Sequence, residues 1–241
     1  MYKRKKTSLI LPAYNEEKAI EKIIKNFQSL NIIDEIIVVN NNSNDNTKRY
    51  AKRAGAKVIK EEKQGFGHTL QKGLHEASGA IIILCEPDGT FDAEDTLRLL
   101  EHIDTYDVVI GSRTHPDFID KDSNMGFLIR IGNVLLAKCM QILYASNTLS
   151  DCGCTYRIFR KDVIQKILPF LTVGQSHFLP ETVILSIFAH KSFIEIPVHY
   201  RKRLGYSKIT GSLKRAMYVG TMMLFLILDY RIKRSFGFKI D

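Results

Sequence analysis

Six apolar residues in a row, Ala80-Ile81-Ile82-Ile83-Leu84-Cys85, run directly into Glu86-Pro87-Asp88-Gly89. A strand with one solvated face alternates polar and apolar residues. This run does not, so it predicts a strand covered on both faces, as in the parallel sheets of α/β proteins. Its abrupt end matters as much. Open α/β sheets bind ligands at the carboxyl ends of their strands, and there Glu86 and Asp88 offer carboxylate oxygens one residue apart. Such a pair can hold a hard divalent cation that neutralises a diphosphate. Pro-Asp-Gly is also good turn chemistry after any strand, so the acids alone leave both readings open.

The first hundred or so residues alternate strand and helix. Ser8 to Leu11 reads as a short strand closed by Pro12, and Asn15 is placed to cap a helix opening with Glu16 and Glu17. Ile20, Ile23, Ile24 and Phe27 then share one helical face. Glu35 to Val39 reads as a second strand, followed by an Asn-rich turn and a helix ending near Gly55. Ala56 to Ile59 is a third strand, and a helix from Gly65-Phe66-Gly67 to about Ala77 precedes the apolar run. Asp95 to Ile103 and Asp107 to Ile110 add a further helix and strand. That order predicts a doubly wound, largely parallel sheet. A polar loop is expected over Arg113 to Met125, a long helix over Phe127 to Tyr144, and a late edge strand over Glu195 to Tyr200. After Asp151 the pattern is otherwise less regular.

A chain of 241 residues, 45% hydrophobic, can bury one substantial domain, or a domain with a small appendage. The expected division is a domain over 1–210, with a nucleotide-binding half over about 1–113 and an acceptor half over about 114–210, then a helical segment over 211–241. In that last segment Ala216 to Leu228 is almost wholly apolar, between Lys214-Arg215 and Arg231, Lys233 and Arg234. It is shorter than the ~20 residues that span a bilayer. It fits a helix lying in the interface of an anionic leaflet; packing against Phe127 to Tyr144, or a subunit interface, is the alternative. The net charge of +9 implies anionic company, whether phosphates, nucleic acid or an acidic membrane surface. No aromatic-interleaved basic helix supports specific nucleic-acid binding. Cys85, Cys139, Cys152 and Cys154 lack zinc-site spacing and read as free thiols of a reducing cytoplasm. The basic N-terminus leads into a strand, not a signal-peptide apolar region. A cytoplasmic protein, peripheral on the cytoplasmic membrane face, is expected.

Two further segments fall at strand ends on the same edge. In Pro12-Ala13-Tyr14-Asn15-Glu16, Tyr14 could stack on a base while Glu16 or backbone N–H groups bond its edge. A capped helix with a packed tyrosine is the plain alternative. The amides of Asn40-Asn41-Asn42-Ser43-Asn44-Asp45 could read a base or ribose, though such residues also build ordinary turns. In the second half Arg113, Arg157, Arg201, Arg203 and Lys208 could stabilise a departing nucleotide, yet each singly is equally well a solvated cation. No G-x-G-x-x-G follows the first strand and no P-loop lysine motif occurs, so nicotinamide and ATP readings drop.

In their order and spacing these motifs resemble the family-two inverting glycosyltransferases of GT-A fold, in the dolichol-phosphate mannose synthase-like or polyprenyl-phosphate branch. The resemblance runs from Ser8 to about Lys208. It passes through Leu11 to Glu17, Val38 to Thr47, Gly65-Phe66-Gly67 with Gly73, Ala77 and Gly79, Glu86-Pro87-Asp88, Gly111-Ser112-Arg113 and Arg203 to Lys208. It implies that Pro12, Tyr14 and Glu16 line a base pocket with Val39 and Asn41, and that Pro87 lies near the ribose. It implies that Glu86 and Asp88 hold magnesium or manganese, and that Arg113, Arg203 and Lys208 meet the diphosphate or an acceptor phosphate. The chain departs from the family where Asn40 and Asn41 replace frequent aspartates and Glu86 replaces a common aspartate. Thr90 also stands where the mannose synthases have a glutamine metal ligand.

The function expected from this resemblance is metal-dependent, inverting transfer of a sugar, a hexose, from a nucleotide-diphosphate donor to a polyprenyl phosphate. Asp88, Arg203, Lys208 and Asp151 are the catalytic candidates. A lipid phosphate is already anionic and needs no strong base. A sugar or protein hydroxyl would need a carboxylate to take its proton, with Asp151 the first candidate and Glu181 the second; a loop cap is the alternative role of Asp151. A catalytically silent nucleotide-binding or membrane-docking protein is the rival from another class. Sugar, base and oligomeric state are not encoded in these motifs.

Overall fold

Seven consecutive buried residues, Thr7–Ala13, form β1 in the middle of the sheet. The computed structural model describes residues 1–123, 125–146, 148–205 and 212–240. After β1 come α1 (Ile20–Ser29), β2 (Glu35–Asn40), α2 (Thr47–Arg53), β3 (Lys57–Lys60), α3 (Phe66–Glu76) and β4 (Ile81–Leu84). Then follow α4 (Asp95–Leu100), β5 (Val108–Ser112), α5 (Phe127–Tyr144), β6 (Arg157–Arg160), α6 (Lys161–Ile167), α7 (Phe178–Phe188), β7 (Phe193–Pro197) and α8 (Leu213–Ser235).

The strands make one seven-stranded sheet in the order β3-β2-β1-β4-β6-β5-β7. All pairs are parallel except those of β6, which runs antiparallel between β4 and β5. Alternation along each strand feeds two cores. Leu9, Leu11, Val38 and Ile83 pack with Ile20, Ile24 and Phe27 of α1 and Leu99 of α4. Ile10, Val39, Ile82 and Leu84 face the other way, onto Leu70 and Leu74 of α3, Met140 of α5 and the helices beyond. Each such aliphatic side chain contributes ~1.5–3 kcal/mol by leaving water. The mixed, doubly wound architecture is that of the GT-A fold.

Three local expectations change. Pro12 does not close β1 but lies within it, paired in register with Val39. It is tolerated there because pairing with β4 ends at Ile10↔Leu84, so its missing N–H interrupts no ladder on that side. Asn15 does not cap α1, which begins at Ile20 without a side-chain cap. Asn15 adopts φ 57°, a left-handed conformation Asn tolerates. It ties the β1–α1 loop to the Asn-rich loop: its N–H donates to Ser43 Oγ at 3.0 Å and its Oδ1 accepts from Asn44 N at 2.9 Å. Finally, β6 and α7 fill the stretch that reads as irregular. α7 is buried on nearly every side, so it carries no amphipathic stripe to betray it.

α8 packs on α5 and α7. Tyr144 Oη of α5 donates to Ile227 O at 2.6 Å, and Tyr230 Oη donates to Glu181 Oε1 at 2.8 Å. Of the readings expected for Ala216–Leu228, packing against Phe127–Tyr144 is observed, with Ile227 fully buried, while Met217 and Phe225 on the same helix are exposed. Among the described residues, the helix long and apolar enough to cross a membrane is α5 rather than α8, whose flanking charges exclude it. The four cysteines are free.

Candidate active site

A cavity of about 680 Å³ opens at the carboxyl ends of β1 and β4. Pro12, Tyr14, Glu16, Asn41, Glu86, Pro87, Asp88, Arg113 and Arg203 all line it. Val39, expected at the base pocket, does not. Strand alternation turns it onto α3, where it packs fully buried beside Gly73.

The acids sit on a turn that the sequence makes tight. Gly89 has φ 82°, and a Cβ there would meet Leu204 at 2.9 Å. Asp88 is 1% exposed. Its Oδ1 accepts from Thr90 N at 2.9 Å and Thr90 Oγ1 at 2.6 Å, while its Oδ2 accepts from Arg203 Nη1 at 2.6 Å. Thr90 thus orients the aspartate from behind. Glu86 Oε1 accepts from Thr155 Oγ1 at 2.6 Å, and its Oε2 lies 3.9 Å from Arg203 Nη1. Burial, then the neighbouring Asp88 charge, pushes Glu86 up to about 7. Glu16 pairs with Arg203 Nη2. Three carboxylates therefore gather round one guanidinium, whose Nε is buried with no hydrogen-bond partner among the described residues.

Arg203 reaches this position because its segment is laced to the acidic turn. Leu204 N donates to Asp88 O at 2.8 Å and Arg201 N to Thr90 O at 2.7 Å. Arg201 itself turns away to pair with Asp92, and Lys208 lies outside the described residues. On the opposite wall Arg113 is held by Asp151: Nε donates to Oδ2 at 2.8 Å, Nη2 to Oδ1 at 2.9 Å, and the backbone N to Oδ2 at 3.1 Å. Burial works against the charge on Asp151, but Arg113 holds its carboxyl below the usual range. The Tyr200 ring supports the Arg113 guanidinium at 5.5 Å.

Several sequence candidates turn out to hold the scaffold. Asn41 spends its amide on loop 61–65, donating to Glu61 O and Lys63 O and accepting from Gln64 Nε2 and Gly65 N. Arg157 is fully buried in β6, donating to Cys154 O, Leu179 O and Thr182 Oγ1; burial pulls it down to about 10. It is not among the residues that line the cavity. Glu181 is fully buried, accepting from Thr172, Val173 N and Tyr230 Oη, so it cannot reach an acceptor. Thr155 and Tyr200 were not singled out by the sequence. Thr155 sits in the loop before β6, where no period exists to mark it, and Tyr200 acts through a contact across 87 positions that no local pattern reports.

Residues 8–168 match the family model described as glycosyl transferase family 2. A dolichyl-phosphate hexose transferase of Haloferax volcanii is 28% identical over 204 residues, spanning 84% of this chain and 86% of that protein. A dolichyl-phosphate beta-glucosyltransferase of Trichomonas vaginalis is 26% identical over 235 residues, spanning 88% and 68%. The crystal structure of glucosyl-3-phosphoglycerate synthase from Mycobacterium tuberculosis, in complex with Mn2+, UDP and glucosyl-3-phosphoglycerate, superposes with a TM-score of 0.71 at 17% identity. That superposition covers 95% of this chain and 80% of that one. The chain belongs to glycosyl transferase family 2 and is a glycosyltransferase built on the GT-A fold.

Proposed function

We propose that this enzyme transfers a hexosyl group from a nucleoside-diphosphate sugar to a polyprenyl phosphate, inverting the anomeric carbon. The observation that carries this reading is the state of the carboxylates. A hydroxyl acceptor needs a base. Asp151 is wholly engaged by Arg113, Glu181 is buried against Tyr230, and the acids lining the cavity, Glu16, Glu86 and Asp88, converge on Arg203. An acceptor phosphate oxygen, already anionic, needs none of them as base. The two relatives named for dolichyl phosphate support the same acceptor class.

The donor set fits a divalent cation: hard oxygens at a strand end, in a cavity, already disposed round the positive charge of Arg203. Glu86 and Asp88 would hold magnesium or manganese, which would neutralise charge on the diphosphate. Tyr14 and Pro12 form the wall for the base. Arg113, locked by Asp151 and Tyr200, presents a fixed charge that costs no reorganisation as negative charge develops. The acceptor oxygen attacks the anomeric carbon from the face opposite the diphosphate. The old bond from that carbon breaks, and its electron pair leaves with the nucleoside diphosphate. Asp151 then positions Arg113, and the free cysteines and nucleotide-sugar chemistry suit the cytoplasmic face of a membrane.

A screen of nucleotide sugars with manganese, offering polyprenyl phosphate and soluble hydroxyl acceptors side by side, tests this. A sugar on the lipid phosphate supports it. Transfer to hydroxyls alone overturns the acceptor, and donor binding without transfer or hydrolysis marks a silent binder.

A further inference from the structure

Alternation along β7 puts Ile194 and Ile196 against the core on the α1 and α4 side of the sheet and Phe193 against the core on the other. Glu195 shares the Phe193 face. A carboxylate on that apolar face calls for a reason, because burial and the neighbouring Asp151 charge both work against its ionisation. β7 pairs in parallel with β5, Ile110 opposite Glu195 and Ser112 opposite Pro197. Glu195 therefore lies beside the end of β5, from which Arg113 enters the cavity.

Both of its carboxylate oxygens are used. Ser150 N donates to Oε2 and Asp151 N to Oε1, each at 2.6 Å. Those two residues in turn hold three consecutive positions where β5 ends. Ser150 Oγ shares hydrogen bonds with Ser112 Oγ at 2.9 Å and Thr114 Oγ1 at 2.6 Å, and these two bond each other at 2.8 Å. Asp151 takes Arg113 between them, accepting from its backbone N, its Nε and its Nη2. The contacts thus run from β7 through residues 150 and 151 to every residue from 112 to 114. Glu195 itself is not among the residues that line the cavity.

We propose that Glu195 is a positioning residue for the transfer reaction: by fixing Ser150 and Asp151 it aims the Arg113 guanidinium into the cavity. This rests on the reading above of Arg113 as a fixed charge beside the reacting groups. Such a charge stabilises a transition state without reorganisation only where its own supports are rigid. Two backbone N–H groups clamped by one carboxylate make a support of that kind, since each N–H has a separate oxygen.

Glu195→Gln tests this in the full chain at pH 8. The amide keeps one oxygen acceptor but turns its NH2 towards a backbone N–H, so one of the two bonds is lost. Circular dichroism checks that the fold is kept. With manganese, the accepted nucleotide sugar and polyprenyl phosphate, kcat is expected to fall at least tenfold while donor Kd changes less than twofold. NMR of protein carrying 15N-arginine reads the positioning without turnover, the Arg113 Nε signal being identified by its absence from Arg113→Ala/Asp151→Ala. Hydrogen exchange at that Nε is expected to quicken at least tenfold in Glu195→Gln; unchanged exchange overturns the proposal. Added to Arg113→Ala/Asp151→Ala, the same substitution should leave kcat within twofold of that double variant, because the path it acts through is gone. An equal loss of kcat in both backgrounds also overturns it. Full turnover by Arg113→Ala/Asp151→Ala instead overturns the reading of Arg113, and with it any part of Glu195 in the reaction.

Discussion

Arg203 Nη1 donates to Asp88 Oδ2 at 2.6 Å, joining residues 115 positions apart. The contact places a cation among Glu16, Glu86 and Asp88. Arg203 and a divalent ion therefore ask for the same oxygens, and the donor's diphosphate offers Arg203 somewhere else to go.

Asp88→Ala is expected to abolish divalent-dependent donor binding, because it removes the buried carboxylate that Thr90 holds in place. Glu86→Gln should weaken binding less, since the longer side chain keeps one oxygen and its bond to Thr155. Calorimetry of nucleoside diphosphate with and without manganese checks the ranking. Unchanged metal-dependent affinity in Asp88→Ala would contradict it.

Arg203→Ala should act in two directions. Turnover should fall by roughly tenfold to a hundredfold, the loss of one charge-assisted contact worth ~1.5–3 kcal/mol. Manganese affinity without nucleotide should rise, because the competing guanidinium is gone. Electron paramagnetic resonance of bound manganese reads the second effect independently of turnover. Equal turnover in a folded variant would leave Arg203 a structural partner of the acids with no part in turnover.

The Arg113–Asp151 pair is 10% and 0% exposed at its two side chains. Asp151→Asn leaves the Arg113 charge buried without its counter-charge, which costs ~3–5 kcal/mol when a buried pair is broken. Activity should fall with it. The double variant Arg113→Ala/Asp151→Ala should lose far less stability than the sum of its parts, measured by urea unfolding. Strict additivity would mean the two side chains act separately.

Glu195 accepts from Ser150 N and Asp151 N, both at 2.6 Å. Burial, then the Asp151 charge, pushes it up to about 7 from 4.5. A raised folded-state value means that the folded protein binds this proton more tightly than the unfolded chain does. The stabilisation is complete below about 4.5 and is lost as pH rises through about 7. The difference in Tm between the unaltered protein and Glu195→Gln should therefore grow in favour of the unaltered protein from pH 8 down to 5, as ~1.4 kcal/mol accompanies each pH unit of linkage. A pH-independent difference would contradict this.

What the sequence made legible was local. The run Ala80–Cys85 and its acids announce a strand end and a site within a few residues, because burial on both faces and turn chemistry are written side by side. The role of Arg157 was not legible, since a cation on a short strand looks like surface until Cys154, Leu179 and Thr182 close round it. Asp151 and Glu181 suggest bases for the same reason: their partners Arg113 and Tyr230 lie 38 and 49 positions away.

The central claim is that the sugar is transferred to a lipid phosphate with inversion. The most direct measurement incubates the full chain with manganese, the accepted nucleotide sugar and polyprenyl phosphate, then analyses the lipid product by mass spectrometry and proton and phosphorus NMR. The account predicts one hexose joined through its anomeric carbon to the phosphate, in the configuration opposite to the donor. A sugar attached to a hydroxyl, or a product that retains the donor's configuration, would contradict it.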